Sequence, residues 1–254
     1  MIDVAGAIGG KDPFRVIVED VGAGALTTDE DASLSALFFG RQNQRNSSII
    51  SKTVAYKHLA LAAHFASIDL DRGDQLRNPY LQTFENTVAD TFTDSQIAEI
   101  QRKRANFYSP LEGVNSFFSG WTTNPAVWID QQFWVDWFVR AVQRNLATLA
   151  REGIPQNSDG QALVGAYVQE ICRKGIENGG ITPGVVRPRV RDEIRARVNR
   201  NFDGRLTRGY LIDVGSFDSL TDAERSARKL PTIRVWMKER GFANNLDIRA
   251  QFIN

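Results

Sequence analysis

Apolar positions along the chain change their period several times, and each change marks an element. Phe14-Arg-Val-Ile-Val is rich in β-branched residues and predicts a strand. Residues 29–39 carry acids early and apolar residues late, the pattern of a short helix whose N-terminus favours negative charge. Ser48-Ile-Ile-Ser-Lys-Thr-Val reads as a second strand, so the order strand, helix, strand predicts two parallel strands joined by a crossover. Residues 55–68 place Leu59, Ala62, Ala63 and Ala66 at helical spacing, which predicts a helix packed back on that sheet. Gly73, Pro79 and many polar residues break up 71–93 into loop, a short strand at Tyr80-Leu-Gln-Thr-Phe, and loop again. Thr93-Asp-Ser-Gln is a helix start, with Thr93 or Asp94 as the cap and the helix running to about Asn106. Phe107-Tyr-Ser-Pro then begins a strand that proline limits, and Val114-Asn-Ser-Phe-Phe-Ser-Gly-Trp is its hairpin partner.

The second half opens on a long helix over 129–151, with Phe133, Trp137, Phe138, Ala141, Asn145 and Leu146 on a broad face. Trp128, Phe133, Trp134, Trp137 and Phe138 could form a stacking platform for bases or sugars, but no basic residue is interleaved before Arg140, and the spacing is that of a core or interface face. Gly153-Ile-Pro ends this helix, and a second one, capped at Asp159, runs to Asn178 and stops at Gly179-Gly-Ile-Thr-Pro-Gly. Towards the end, Thr232-Ile-Arg-Val-Trp-Met-Lys and Leu246-Asp-Ile-Arg-Ala-Gln-Phe-Ile alternate around a turn-like stretch at 241–245, which predicts a terminal hairpin. The fold class expected is mixed, α+β or α/β, with a central mixed sheet flanked by helices and a C-terminal hairpin edge open to strand pairing between subunits. Residues 1–127 and 128–254 are expected to form the two parts of one compact unit.

Composition narrows function mostly by exclusion. The chain has 254 residues, 42% hydrophobic and 24% charged, a globular balance with ample core. Its net charge of +1 gives the molecule as a whole no case for wrapping nucleic acid or lying on an acidic membrane. The N-terminus lacks a basic stretch followed by an apolar one, and no window approaches roughly 18 uninterrupted apolar residues. The single cysteine, Cys172, falls in an apolar-periodic run and reads as a buried, inert thiol. His58 and His64 are six residues apart, so a helix would place them about 240° apart, on different faces. They are poor joint metal ligands, and neither metal nor cofactor is expected. Asp130, Asp136 and Asp213 read as caps, turn residues or salt-bridge partners, and no nucleophile, base and orienting group assemble into an active site.

Charge is concentrated in one place. Arg187, Arg189, Arg191, Arg195, Arg197, Arg200, Arg205 and Arg208 face only Asp192, Glu193 and Asp203, a local excess of five. Two readings stand: a nucleic-acid stripe, or a basic face that docks on an acidic neighbour and fixes register more than it adds affinity. The confined run and the acidic balance of the rest favour the second. In the terminal strands, Arg234, Lys238 and Arg249 serve either as edge guards of a soluble monomer or as register-setting charges in an assembly.

Taken in order, Ala105-Asn-Phe-Tyr, Trp128-Ile-Asp, Asn145-Leu, Gly153-Ile-Pro, Asn178-Gly-Gly-Ile-Thr-Pro-Gly and Asp222-Ala-Glu-Arg-Ser-Ala-Arg-Lys-Leu-Pro make the chain, over roughly residues 13–253, resemble the tail-sheath proteins of contractile bacteriophages. None of these motifs is catalytic. The resemblance implies a structural, non-enzymatic subunit that stacks in rings around a tail tube, exchanges terminal strands with its neighbours and rearranges on contraction to drive genome injection. Its implied partners are further copies of itself in rings and a helical tube, the tail tube protein, and baseplate and tail terminator proteins, with no nucleic acid and no membrane span. It implies a place in the virion, after assembly in the host cytoplasm. The interface expected on this basis comprises Arg187, Arg189, Arg191, Arg195, Arg197, Arg234, Trp236, Lys238, Ile248, Arg249 and Phe252. Family members usually carry a region ahead of the first strand, whereas Met1 here stands only about a dozen residues before Phe14, so the sequence reads either as a compact subunit or as a fragment. The alternatives are a non-contractile virion component, such as a tail tube or terminator protein, and an α/β enzyme.

Overall fold

The computed structural model describes residues 2–3, 16–28, 32–198 and 201–241. Among them lie seven helices and nine short strands, and the mixed α+β class expected from the sequence is the one found. The strands are spread over small sheets rather than gathered into one. The chain divides into two compact units, each drawing on several segments, and the division falls inside the long helix rather than at 127/128.

One unit, the sheet unit, comprises Phe14–Ile68, Arg77–Gln132 and Gly241–Asn254. Its strands β2 (Val16–Asp20) and β3 (Asn46–Ile50) pair in parallel, Val16 opposite Asn46 and Asp20 opposite Ile50, with helix α1 (Leu34–Gly40) between them in sequence. The expected crossover is therefore present, though the helix starts only after the cap at Ser33. Helix α2 (Lys57–Ala66) packs against both strands. Strands β4 (Phe107–Leu111) and β5 (Val114–Phe118) form the expected hairpin, turned by Glu112 and Gly113, both at positive φ. Two such residues make the mirror-image turn whose twist matches that of the strands, and glycine relieves its strain. A parallel bridge between Ile49 and Asn106 joins this hairpin to β3, so the four strands make a mixed arrangement. Helix α3 (Asp94–Arg102) starts at the expected capping box, Thr93 with Gln96, and closes a core of Ile50, Phe92, Ile100, Ala105 and Phe107. The segment at Tyr80 is a turn rather than a strand; it pairs only through Leu81 and Gln82 with the backbone of Phe117.

Asn106 gives the Ala105-Asn-Phe-Tyr element its structural role. Fully buried, it accepts from Gly120 N at 2.8 Å and Trp121 N at 2.7 Å, and donates to the Ser48 and Trp121 carbonyls at 3.0 Å each. All four polar sites of one amide are used to tie β3, the start of β4 and the turn after β5 together.

The other unit, the helix-pair unit, comprises Met1–Pro13, Asp69–Leu76 and Phe133–Arg240. Its helices α4 (Ile129–Glu152) and α5 (Ser158–Glu177) run antiparallel: Trp134 meets Asn178, and Asn145 donates to the Tyr167 carbonyl at 2.9 Å. The α5 cap is Asn157, two residues before the expected Asp159; its side chain accepts from the N–H groups of Asp159 and Gly160. The apolar faces lock along Phe138, Ala141, Val142, Leu146 and Leu149 on one side and Val164, Val168, Ile171 and Cys172 on the other. Burial pushes the Cys172 thiol up to about 12, so it stays protonated and inert. None of the described helices is long and apolar enough to cross a membrane.

Candidate assembly surface

The helix-pair unit carries a three-stranded antiparallel sheet ordered β1, β9, β8, where the expected interface residues of the last strand fall: β1 is Ile2–Asp3, β8 is Tyr210–Val214 and β9 is Ile233–Met237. β9 was expected to be half of a terminal hairpin; its expected partner over 246–253 lies outside the described residues. Its observed neighbours are β8, with Ile212 opposite Val235, and β1, with Ile2 opposite Val235. β9 is thus an inner strand, and the edge-guard reading of Arg234 is corrected accordingly. Arg234 sits opposite Asp213 on β8, its guanidinium 3.6 Å from that carboxylate. Trp236 is only 2% exposed and belongs to the core of this unit, not to its surface. Lys238 lies exposed just past the strand, with its N–H on the Gly209 carbonyl. Ile248, Arg249 and Phe252 lie outside the described residues.

β8 supplies the edge instead. Lys238 N bonds Gly209 O and Gly215 N bonds Thr232 O, so by antiparallel alternation the odd-numbered residues 209–215 point their polar groups at β9. Tyr210, Ile212 and Val214 therefore turn theirs outward. Of these, the Val214 carbonyl accepts from the Gln161 side chain at 2.6 Å. A groove of about 520 Å3 runs beside this edge, with Ala162, Gly165 and Ala166 of α5 as its roof and Ile212 and Val214 as its floor. Small residues on the helix leave the width that an added backbone requires.

The arginine run folds as a helix, α6 (Pro188–Val198), opened by proline at its first position. It is set between two very short strands, β6 (Gly184–Val185) and β7 (Arg205–Leu206), which pair antiparallel. Val190, Ile194 and Val198 recur every fourth residue, and Ile194 is fully buried. The arginines occupy the positions on either side of that stripe, Arg191 and Arg195 on one flank and Arg189 and Arg197 on the other. They form two rows beside the anchored face, not one outward stripe. Arg197 bridges Glu193 at 3.3 Å, Arg191 lies 3.2 Å from Asp192, and Arg195 donates to the Phe202 carbonyl at 2.7 Å. Arg187 and Arg189 are exposed.

A pin that sequence reasoning missed fixes the connection into this surface. At the end of α5, fully buried Asn178 accepts from Trp134 Nε1 at 2.9 Å, while its own carbonyl accepts from Leu76 N at 2.8 Å. A Cβ on Gly180 would lie 1.8 Å from Trp134 Nε1, so only glycine lets the indole lie across this backbone. From there Thr182 N reaches the Lys238 carbonyl and Arg240 N the Gly180 carbonyl, which ties the exit of α5 to the end of β9. The signal was present in Asn178-Gly-Gly, which reads as a helix stop but also holds the glycine that lies against the Trp134 indole nitrogen.

The described residues contain no group of three or more His, Cys, Asp or Glu side chains that could hold a metal. Of the two histidines, His58 pairs with Glu19 at 3.2 Å, whereas His64 has its Nε2 buried without a partner among the described residues.

This architecture is shared with components of contractile injection machines. A chain of the anti-feeding prophage (AFP) baseplate, 6-fold symmetrised, superposes with a TM-score of 0.63 at 11% identity, covering 94% of this chain and 60% of that one. A chain of the PVC sheath complex, an extracellular contractile injection system in the contracted state, gives 0.59 at 13% identity, covering 83% and 56%. The chain thus spans about three fifths of the length of these neighbours, and at such identities the likeness is one of fold. No curated protein sequence matches the chain. Residues 129–252 match the family model described as E217 tail sheath protein gp31-like, C-terminal domain. The second half of the chain is therefore similar to a tail-sheath C-terminal domain, and the chain as a whole shares its fold with the neighbours above.

Proposed function

We propose that this protein is a structural subunit of a contractile tail sheath. Copies stack in rings around a tail tube, hold together by adding a strand of one subunit to the open edge of β8 in the next, and rearrange on contraction to drive genome injection. The observation that carries this reading is the outer edge of β8, unpaired among the described residues, beside a groove lined by small residues, in the part of the chain that matches the tail-sheath family model. Added strands gain main-chain hydrogen bonds for affinity and alternate side-chain pockets for register. The arginines of α6 dock on an acidic neighbour, the next subunit or the tail tube protein, while baseplate and terminator proteins close the ends of the array. The work of such a protein is polymerisation and a switch between two packed arrangements, which requires no catalytic group. The assembled location is the virion tail, following assembly in the host cytoplasm.

Electron microscopy of the purified protein tests this directly, comparing wild type with Ile212→Pro. Proline at 212 removes an outward N–H from the free edge and leaves the ladder with β9 intact. Rings or tubes from the wild type that vanish in a folded Ile212→Pro variant are the expected result. Equal assembly by both would remove β8 as the acceptor edge, and persistent monomers of the wild type even with a tail tube template would remove the sheath reading itself.

A further inference from the structure

A second concave surface lies in the helix-pair unit, and nothing in the strand-exchange reading uses it. It is a cleft of about 660 Å3 between the end of α4, with the loop after it, and the segment 217–230. That size is within the roughly 300–1,000 Å3 usual for binding clefts. Its lining is apolar at Ala150, Ile154, Phe217 and Leu230, and cationic at Arg225 and Arg228. Arg225 is fixed from behind: its guanidinium donates to the Leu220 and Asp218 carbonyls at 3.2 Å each, and Gln156 donates to the Arg225 carbonyl at 3.1 Å. Lys229 is occupied by Glu224 at 2.7 Å, and that contact, with the capping bonds from Thr221, holds the Glu224 carboxyl down at about 2. Arg228 differs. It follows the short helix α7 (Asp222–Ser226) in left-handed conformation, φ 52°, is exposed, and has no acidic partner among the described residues.

The complement of this lining is in the sequence itself. Asp29-Glu30-Asp31 is the only run of three consecutive acids in the chain, and Leu34 and Leu37 follow it, 41% and 55% exposed on α1. We propose that the cleft receives this acidic run and its following leucine from a second copy of the chain, carboxylates on Arg225 and Arg228 and an apolar side chain against Phe217, Ile154 and Leu230. The contact rests on the reading of the chain as a self-assembling subunit, and it adds a side-chain-specific joint to the main-chain pairing at β8. Charge pairs at the rim set partner choice and register, and the buried leucine supplies the affinity.

The test is a fluorescently labelled peptide of residues 26–37 titrated with the full chain, read by anisotropy. Saturable binding is expected, weakened about tenfold by R228E and recovered in part when the peptide carries E30R. R228E alters an exposed side chain, so its thermal melt should match the wild type and keep the loss interpretable. Absence of saturable binding, equal binding by a scrambled peptide of the same charge, or indifference to R228E would each overturn the proposal. If the peptide fails while the protein still forms rings or tubes, the cleft contact falls and the sheath reading stands; if the peptide binds but no array forms, the reverse holds.

Discussion

The two units treat their cations in opposite ways. In the sheet unit two of them point inward: Lys57 and Lys103 are each 1% exposed. Lys57 reaches Asp90 at 2.6 Å and Ser51 at 3.1 Å, and Lys103 donates to the carbonyls of Gly24, Ala25 and Thr27. In the helix-pair unit the arginines of α6 stay at the surface, and the acidic partners of Arg191 and Arg197 are exposed or half-buried neighbours on the same helix. A buried charge must find a partner or lose several kcal/mol, whereas an exposed pair contributes roughly 0–1 kcal/mol. The inward cations therefore hold a fold together, and the outward ones remain available to something outside it.

The sharpest way to break this contrast is Asp90→Ala. It leaves the Lys57 ammonium buried with only Ser51 beside it, and removes the acceptor of Lys52 N as well. A loss of about 3–5 kcal/mol in urea unfolding is expected. The double variant Lys57→Met/Asp90→Leu should recover most of that loss, because an apolar pair of similar volume needs no compensation. A single variant that costs less than about 1 kcal/mol would mean the pair is not desolvated and the contrast between the units is false.

Gly180→Ala comes next and probes the helix-pair unit, whose rigidity depends on packing rather than buried charge. The added methyl would meet the Trp134 indole, forcing either the ring off Asn178 or the backbone away from it. Overpacking of this kind costs about 1–3 kcal/mol. A blue-shifted or quenched tryptophan signal that differs from wild type should accompany the lowered Tm; an unchanged melt would show that the pin is loose.

These sites also mark where sequence alone stops. The β2–α1–β3 crossover, the Thr93 capping box, the β4–β5 hairpin and the α4–α5 pair were legible because each rests on a local period or cap. β8 was not: Tyr-Leu-Ile-Asp-Val is short, nearly continuous in apolar character and half-buried along its whole length, so it shows no alternation. α6 was hidden by its own arginines, although Val190, Ile194 and Val198 keep one apolar stripe at a spacing of four. Reading the terminal strands as the assembly edge followed from alternation in 232–238, but alternation cannot tell an inner strand from an outer one. Only the pairing of β9 with both β8 and β1 moves the edge to β8, and only its burial places Trp236 in the core. Lys57 and Lys103 carry no local signal in the sequence, since only the fold brings distant carboxylates or carbonyls to them.

A smaller effect follows from His64 in the sheet unit. Burial lowers its pKa below the ordinary 6.5, and the neighbouring Arg77 charge acts in the same direction, while a hydrogen bond from the ring to the Arg77 backbone partly opposes them. Its ring lies against Phe65 and Phe84, 5.1 and 5.8 Å between centroids. The folded state thus binds its proton less readily than the unfolded chain does. Stability should be fully present above pH 6.5 and decline as the pH falls through and below that value, until the folded form also protonates. His64→Phe should flatten this part of the stability profile in chemical denaturation at several pH values; an unchanged slope would assign it to other groups.

The smallest expected change in stability is at the outward cations, and there the contrast between the units makes its most specific claim. Arg195→Glu/Arg197→Glu reverses two charges on opposite flanks of the α6 stripe, removing the bond to the Phe202 carbonyl and the pair with Glu193. Both are exposed contacts, so unfolding should shift by no more than about 1 kcal/mol. If these arginines serve a neighbour, the same variant should lose assembly, with the greatest deficit at low ionic strength, where wild-type attraction is least screened. A variant that melts like the wild type and no longer forms arrays would place the role of the α6 arginines outside the subunit that carries them. Intact arrays at every salt concentration would return these arginines to the ordinary duty of keeping a helix surface in water.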